Sequence, residues 1–230
     1  MSYIAIIPAR GGSKGIIGKN TRLVAGEPMV AWTLNAAIHA RSIDRCILTT
    51  DDPLIADIGR DRGVSLIHRP SHLAGDSATT ESAMLHVLEE IEGTFDAAAD
   101  SLVLLQPTSP LRNAADIDEA VKLYEHRKAD SLLSVAQSHH FYWKDLDEPK
   151  ALYDFQRRPR RQDMKRQEKY FKENGAIYIS RVSGFLENKN RLFGSIAIYP
   201  MLEKSSIEID EEWELEIADF LLKTAMKVEK

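Results

Sequence analysis

The feature that most constrains the fold is a regular alternation of apolar and amphipathic segments over the first 136 residues. The apolar segments are short and predict strands at Tyr3–Pro8, Cys46–Asp51, Ser65–Arg69, Leu102–Gln106 and Leu132–Ala136. The segments between them have helical spacing and predict helices at Met29–Ala40, Leu54–Arg62, Ala78–Glu92 and Ala115–Lys128. Because strands joined through helices pair in parallel, this order predicts a mostly parallel sheet with helices on both faces.

The alternation stops over residues 138–173, which hold two prolines, many charges and no sustained periodic stripe. An irregular insert of this length is predicted to be functional, an interaction arm or mobile. Regular patterns return as strands at Gly175–Ile179 and Ser195–Tyr199 and as a closing helix at Trp213–Val228. A chain of 230 residues fits one domain, so we predict a single domain over 1–230 with the insert inside it.

Composition narrows the partners of this chain. The formal net charge of −5 argues against bulk electrostatic binding to nucleic acid or to an anionic membrane. No apolar run approaches the ~20 residues that cross a bilayer, and the N-terminal apolar segment runs directly into a glycine-rich turn, so it is predicted to be a strand and not a signal peptide. Cys46 is the single cysteine, which excludes an internal disulfide and suits the cytoplasm.

The strongest chemical signal is the sequence PARGGSKGIIGKN, from Pro8 to Asn20, directly after the first predicted strand. Its glycines allow backbone amides to approach a ligand closely, and Arg10, Lys14 and Lys19 add positive charge to the same turn. Free amides and cations at the carboxyl end of a strand are typical of a phosphate-binding loop. The alternative is an ordinary solvated basic loop.

Two well-known phosphate motifs do not match this loop. A Walker loop requires a glycine where Ser13 stands and a hydroxyl residue where Asn20 stands. The dinucleotide pattern G-x-G-x-x-G is also absent from the turn, which argues against a dehydrogenase. The loop therefore differs from both motifs.

Six segments in order resemble motifs of the CMP-sialate synthetases, the acylneuraminate cytidylyltransferases. They are IAIIPARGGSKGIIGKN, RPSHLAGDSATTES, LLQPTSPLR, RRQD, NGAIYI and SIEIDEEWELEIAD. The resemblance implies a three-layer Rossmann-like fold of the nucleotide-diphospho-sugar transferase type, with a protruding dimerisation arm. The related Kdo cytidylyltransferases share the fold and reaction, but their opening loop lacks the GGSKGI…KN form, so they rank lower.

The same resemblance implies which residues bind CTP. The nucleotide-binding set is Arg10, Gly11, Gly12, Ser13, Lys14, Lys19, Asn20, Arg69, Asp76 and Thr80. We assign catalytic roles to Lys19 and Arg10, as cations that offset charge on the α-phosphate and the leaving pyrophosphate, and we expect Lys19 on a solvent-facing loop. Thr79 and Thr80 have an equally plausible structural role as caps of the following helix.

For the sugar acid, the resemblance implies a contact with Gln106. Its neighbours Ser109 and Arg112 offer a hydroxyl and a guanidinium at the same strand end, although a proline-rich turn without a ligand role is the alternative. Further candidates for sugar contact are Lys144, Arg161 and Tyr178.

Glu208 and Asp210 carry the metal hypothesis. Two positions apart along a strand, their carboxylates would point to one face and suit Mg²⁺ (or Mn²⁺), which binds carboxylates together with substrate phosphates. The family pattern is usually D-x-D, so Asp210 is the safer ligand and the third catalytic residue, while Glu208 binds the metal directly, binds it through water, or supports the direct ligands from behind. Without this context, two acids on a strand are usually a solvated face.

The insert contains a basic run, Arg157, Arg158, Arg160, Arg161, Lys165 and Arg166. Such a run could bind nucleic acid, but the rest of the chain is acidic. In the family the corresponding segment reaches a partner subunit, so we predict a homodimer formed through 138–173, without nucleic-acid or membrane binding. His139 and His140 are predicted to be loop residues and not metal ligands.

The resulting hypothesis is an enzyme that transfers CMP from CTP to the anomeric hydroxyl of a nonulosonic acid, with release of pyrophosphate. N-acetylneuraminate is the first choice of sugar, and legionaminate, deaminated neuraminate (KDN) and pseudaminate are alternatives. The reaction would proceed by in-line displacement, which depends on positioning and charge neutralisation. A hypothesis of another class is a non-catalytic nucleotide- or RNA-binding module that uses the basic run.

Overall fold

The computed structural model describes residues 1–13, 15–92, 99–165 and 169–228, apart from the side chains of Glu92, Arg161 and Val228. Within these residues the main sheet has seven strands, in the spatial order β11 (Ile196–Met201), β7 (Ser131–Ser138), β10 (Tyr170–Arg181), β6 (Ser101–Leu104), β1 (Tyr3–Pro8), β4 (Arg45–Thr50) and β5 (Ser65–His68). Every neighbouring pair is parallel except the two that involve β10. The predicted mostly parallel sheet is confirmed.

Helices cover both faces of this sheet, as predicted. Their bounds are α1 Met29–His39, α2 Pro53–Arg60, α3 Thr80–Glu92, α4 Ala114–Arg127, α5 Val182–Asn188 and α6 Glu212–Val228. On one face α1 and α4 pack residues such as Leu34 and Val121 against Ala5 and Ile7 of β1. On the other face α3 and α5 pack against the opposite side of β1 and β6. Buried side chains therefore alternate along β1, which makes it a strand covered on both sides.

The helix starts follow local capping chemistry. The Asp52 carboxylate accepts hydrogen bonds from the backbone amides of Leu54 and Ile55 at the start of α2. Asn113 and Asp116 form a reciprocal capping box at the start of α4. Each cap satisfies amides that have no partner within the helix, and the two starts lie within one residue of those predicted from helical spacing.

The strand β10 differs from the prediction in length. It begins at Tyr170 and not at Gly175, and Tyr170 pairs with Ser138 of β7. A register shift separates the pairs formed by Glu173 and Tyr178, which interrupts the regular ladder. The charged residues before the irregularity are exposed, so they carry no apolar alternation from which a strand could be predicted.

The insert over residues 138–173, called the arm below, connects β7 and β10. It contains a two-stranded hairpin, β8 (Trp143–Lys144) with β9 (Lys150–Ala151). A second small hairpin, β2 (Leu23–Val24) with β3 (Glu27–Pro28), follows the opening loop.

None of the helices in the described ranges combines the length and the apolar character that crossing a bilayer requires.

The segment 206–210, expected as a strand, is fully described and forms none. Ile209 holds the segment in place: its side chain is buried, and its backbone amide donates a hydrogen bond to the Thr108 carbonyl oxygen at 2.8 Å. Ile209 packs with Ile16 of the opening loop and with Leu215 of α6. Tertiary packing therefore holds this segment beside the opening loop without a sheet ladder.

Candidate active site

A cleft of about 490 Å³ lies at the edge of the sheet where the parallel strands β1, β5 and β6 end. Its wall comes from the opening loop, the segment after β5, the start of α3, the turn after β6 and the residues before α6. Polar wall residues are Arg10, Ser13, Lys19, Asn20, Arg69, Asp76, Thr79, Thr80, Gln106, Thr108, Asp210 and Glu211. This position and size are typical of ligand sites in open α/β folds.

Most of the predicted nucleotide-binding residues meet in this wall. Gly11 and Gly12 belong to the same loop but do not line the cleft, and the Gly11 amide donates to Asp51 Oδ1 at 3.0 Å. Lys14 lies outside the described residues. Thr108 and Glu211 were missed by the sequence reasoning, although each stands inside a motif that it had singled out.

Two arginines give the cleft positive charge. Arg10 donates from Nη1 to Asp76 Oδ1 at 3.1 Å and remains partly exposed. Arg69 is buried and donates from Nη2 to the Thr49 carbonyl oxygen at 2.6 Å. Burial lowers the pKa of Arg69 to about 10, so its guanidinium is still charged at neutral pH. The wall therefore presents two cations to an anionic ligand: Arg69 is held in place by burial, and the partly exposed Arg10 can change its position.

Lys19 is held more tightly than expected. Its side chain is 12% exposed, and Nζ donates to the Ile209 carbonyl oxygen at 2.6 Å and to Asp210 Oδ1 at 3.0 Å. The prediction of a solvent-facing lysine was wrong because the 206–210 segment folds over the loop. Gly15 allows this contact, since a Cβ there would lie 2.5 Å from the Asp210 carbonyl oxygen.

The two acidic residues of the metal hypothesis occupy different positions. The Asp210 carboxylate lines the cleft and is 67% exposed. Glu208 is partly buried and is absent from the cleft wall. Burial, and then the charge of Asp210, raises the pKa of Glu208, while Lys172 and Lys19 oppose the shift. No group of three or more His, Cys, Asp or Glu in the described ranges could by itself hold a metal ion.

Glu208 and Gln106 approach each other at Gly175, whose φ of +64° lies in the left-handed region. A Cβ at Gly175 would lie 2.7 Å from Glu208 Oε1 and 2.8 Å from Gln106 Oε1. The glycine of the NGAIYI motif is therefore required both by backbone conformation and by the approach of two polar side chains.

Gly175→Ala is expected to lower the free energy of unfolding by more than the ~1–2 kcal/mol that a left-handed alanine costs, because it also displaces Gln106 and Glu208. Denaturant unfolding measures this loss. Gly63→Ala is the matched control, since Gly63 also has positive φ (+69°) but no atom within 4 Å of an added Cβ. Equal losses in the two variants would show that the contact with Gln106 and Glu208 is unimportant.

Three of the predicted sugar-binding residues lie away from the cleft. Ser109 and Arg112 are buried under the turn after β6, where Ser109 donates to the Asn174 carbonyl oxygen at 3.3 Å and Arg112 donates to that of Ala176 at 3.0 Å. A direct sugar contact by either does not fit this structure, because both bind the backbone of β10. Lys144 is exposed on the arm. The Arg161 side chain lies outside the described set.

Tyr178 lies beside the cleft and not in its wall. It pairs in register with Leu104, two residues before Gln106, and its hydroxyl donates to Glu173. Burial and this hydrogen bond raise the pKa of Tyr178. The Arg191 guanidinium stacks on the ring, with Cζ 4.9 Å from the centroid. Sequence reasoning missed Arg191, which belongs to none of the six motifs.

Comparison with known proteins assigns the family. Residues 4–225 match the profile of the Cytidylyltransferase family. The chain belongs to the cytidylyltransferase family. It is 35% identical over 229 residues to the CMP-N,N'-diacetyllegionaminic acid synthase of Legionella pneumophila, covering 94% of each chain. It is also 34% identical over 223 residues to the N-acylneuraminate cytidylyltransferase of Escherichia coli O18:K1:H7, covering 94% of this chain and 51% of that protein.

These matches confirm the resemblance seen in the motifs. The chain spans about half the length of several curated relatives, including the Escherichia coli protein and that of Streptococcus agalactiae serotype III, of which it covers 51%. Among solved structures, the fold is similar to that of CMP:2-keto-3-deoxy-manno-octonic acid synthetase complexed with CTP. The TM-score is 0.72 at 18% identity, over 98% of this chain and 100% of the other. This likeness shows the fold alone.

The arm has a small aromatic cluster of its own. Phe141 and Tyr153 have ring centroids 4.4 Å apart, and those of Trp143 and Phe155 are 5.7 Å apart. Arg158 of the basic run stacks on Phe141, with Cζ 4.5 Å from the ring centroid. The arm is therefore locally organised, and part of its positive charge is engaged within it. Trp143 and Phe155 remain more than half exposed.

Proposed function

We propose that this chain transfers CMP from CTP to the anomeric hydroxyl of a nonulosonic acid and releases pyrophosphate. The observation that carries the proposal is the cleft, which joins the cations Arg10, Lys19 and Arg69 to the carboxylate of Asp210 at one sheet edge in a cytidylyltransferase chain. Cations suit a triphosphate, and an acid beside them suits a metal that accompanies it. A simple anion-binding module would gain nothing from the acid.

The chain's own groups would act by positioning and charge. Lys19, now bound to Asp210, is the group we propose to donate to the phosphate oxygens when CTP enters, with Arg10 as a second donor. Arg69 contributes a buried charge that needs no reorganisation. Preorganised donors of this kind stabilise the charge that develops as pyrophosphate leaves, without a covalent enzyme intermediate.

We also propose that the site takes Mg²⁺, or Mn²⁺, with Asp210 as its direct ligand. The residues fit a cation, because the charge of Asp210 contributes to the raised pKa of Glu208 and a bound cation would relieve that repulsion. Two carboxylates alone leave most positions of Mg²⁺ to water and phosphate oxygens, which is its usual preference. The metal would supply charge neutralisation at the phosphates. Asp210 would hold it, and Glu208 would orient it directly or through water.

For the acceptor, N-acetylneuraminate is the first choice, with Gln106 as the residue that contacts it. Gln106 lines the cleft, and its amide lies close to Gly175 beside Glu208. Legionaminate has comparable support, because the similarity to the CMP-N,N'-diacetyllegionaminic acid synthase of Legionella extends over 94% of each chain. KDN and pseudaminate remain alternatives.

We further propose that the active form is a homodimer built through the arm, working in the cytoplasm. The exposed Trp143, Leu146 and Phe155 support a partner surface on the arm, because large apolar side chains that stay in water are costly. A partner's arm would then bring Lys144 and Arg161 toward the sugar.

The test is pyrophosphate release with CTP and Mg²⁺ across N-acetylneuraminate, KDN, legionaminate, pseudaminate and Kdo. We expect release with at least one nonulosonic acid, loss of release on chelation of the metal, and little release when UTP, GTP or ATP replaces CTP. Release with Kdo alone would show that the chain acts on Kdo and not on a nonulosonic acid. No release with any acceptor would contradict the proposed function.

A further inference from the structure

An ion pair at the side of the cleft takes no part in the function described so far. Arg191 donates from Nε to Glu81 Oε1 at 2.6 Å, and each side chain is only 20% exposed. Although burial pushes the pKa of Glu81 up, its hydrogen bonds with Arg191 and with backbone amides hold that pKa below its usual value. The pair is therefore fully charged at neutral pH and firmly held.

This pair lies beside the cleft, and neither of its side chains is part of the cleft wall. Glu81 stands in the first turn of α3, and its neighbours Thr80 and Ala83 line the cleft. Arg191 stacks on Tyr178, which is paired with the strand that leads to Gln106. Arg191, in the segment between α5 and β11, thus joins Glu81 of α3 to Tyr178 of β10, which pairs with Leu104, two residues before Gln106.

Arg191 keeps donors available for a ligand. Only Nε is used by Glu81, and neither Nη atom has a hydrogen-bond partner within the described ranges. Neither of them is a buried unsatisfied atom either, so both retain access to solvent. A guanidinium presents its N–H groups in a rigid plane, so the Nη donors are oriented by the contact with Glu81 and by the ring of Tyr178.

The surroundings decide which kind of acceptor fits. Glu81 neutralises the guanidinium, Glu173 accepts from the Tyr178 hydroxyl, and the charge of Glu208 also acts on Tyr178. A second anion, such as the carboxylate of the sugar acid, would meet a guanidinium whose charge Glu81 already neutralises, with a further carboxylate at Glu173 nearby. A neutral oxygen with strong acceptor character, such as an amide carbonyl, needs no uncompensated positive charge.

Resting on the proposed function, we infer that Arg191 is a specificity-determining residue that donates to the amide carbonyl of an acylamino substituent on the acceptor sugar. Glu81 is a positioning residue that orients Arg191. An acylamino group reaches further from the sugar ring than a hydroxyl and is the stronger acceptor. The site therefore favours acylamino sugar acids over analogues with a hydroxyl in that place.

The experiment compares kcat/KM for N-acetylneuraminate and for KDN, which carries a hydroxyl in place of the acylamino group. Arg191→Met removes the donors and keeps an apolar stem over Tyr178. We expect kcat/KM for N-acetylneuraminate to fall about 10- to 100-fold, as for loss of a charged hydrogen bond, while kcat/KM for KDN and the KM for CTP change little. Equal losses with both sugars would overturn the inference.

Glu81→Gln separates donation from structural support, because it also breaks the ion pair but keeps an acceptor for Nε and leaves the Nη donors. We expect it to retain the preference for N-acetylneuraminate, and a loss as large as in Arg191→Met would overturn the inference. If Arg191→Met does not fold, Arg191→Lys keeps the ion pair without the planar donors and should show the same selective loss. A wild-type protein inactive with both sugars would overturn the proposed function and this assignment together, whereas an active one with an unchanged ratio in the arginine variants would overturn this assignment alone.

Discussion

Replacing Lys19 with methionine is expected to lower kcat for pyrophosphate release by about 100- to 1,000-fold, the usual loss when one preorganised donor to a developing oxyanion is removed. Methionine keeps the length of the stem and removes the ammonium group. The side chain is 12% exposed and enclosed by the 206–210 segment, so a replacement of similar shape limits collapse of the loop. Single-turnover measurements at saturating CTP separate this loss from weaker binding.

The structure adds an effect on stability that the loop sequence did not suggest. The Lys19 ammonium donates to the buried Ile209 carbonyl oxygen at 2.6 Å, so Lys19→Met leaves that acceptor without its partner. We expect the free energy of unfolding to fall by about 1–3 kcal/mol in the same variant. Lys122→Met is the control, because Lys122 forms only an exposed pair with Glu119. Turnover close to wild type in Lys19→Met would exclude the proposed catalytic role.

Asp210→Asn is expected to lower turnover about 100-fold or more at saturating Mg²⁺, because asparagine replaces the one carboxylate of the metal hypothesis that lines the cleft. The substitution is nearly isosteric, and the position is mostly exposed, so the fold should tolerate it. Pyrophosphate release measured against Mg²⁺ concentration gives both the loss and any change in metal affinity.

The two variants should differ in how they bind CTP without metal. Lys19→Met removes a positive charge and should weaken that binding. Asp210→Asn removes a negative charge and frees Lys19 from its 3.0 Å contact, so binding should be unchanged or tighter. Calorimetry in the presence of a chelator measures this. Glu212→Gln is the matched control, since Glu212 pairs with Arg22 on the surface. Full activity of Asp210→Asn would exclude that residue as the metal ligand.

Much of the fold could be predicted because its signals are local. Helical spacing predicted the starts of α2 and α4 to within one residue, and short apolar segments predicted strands buried on both faces. A phosphate site at the opening loop stays a prediction, based on glycines and cations that occur together directly after a strand. β10 was predicted too short, because its first residues are charged and exposed and are held in the sheet by pairing with distant residues of β7.

The sequence by itself determined the layered architecture, the family and the residues at the sheet edge, since these depend on periodicity and on motifs contiguous in the chain. Only the tertiary structure decided that Lys19 is enclosed, that Arg112 supports β10 and does not face the cleft, and that Arg191 meets Glu81. Each of these contacts joins residues between 64 and 191 positions apart. Such pairs produce no periodic pattern in the sequence, because the packing of the layers, and not the neighbouring residues, determines which side chains meet.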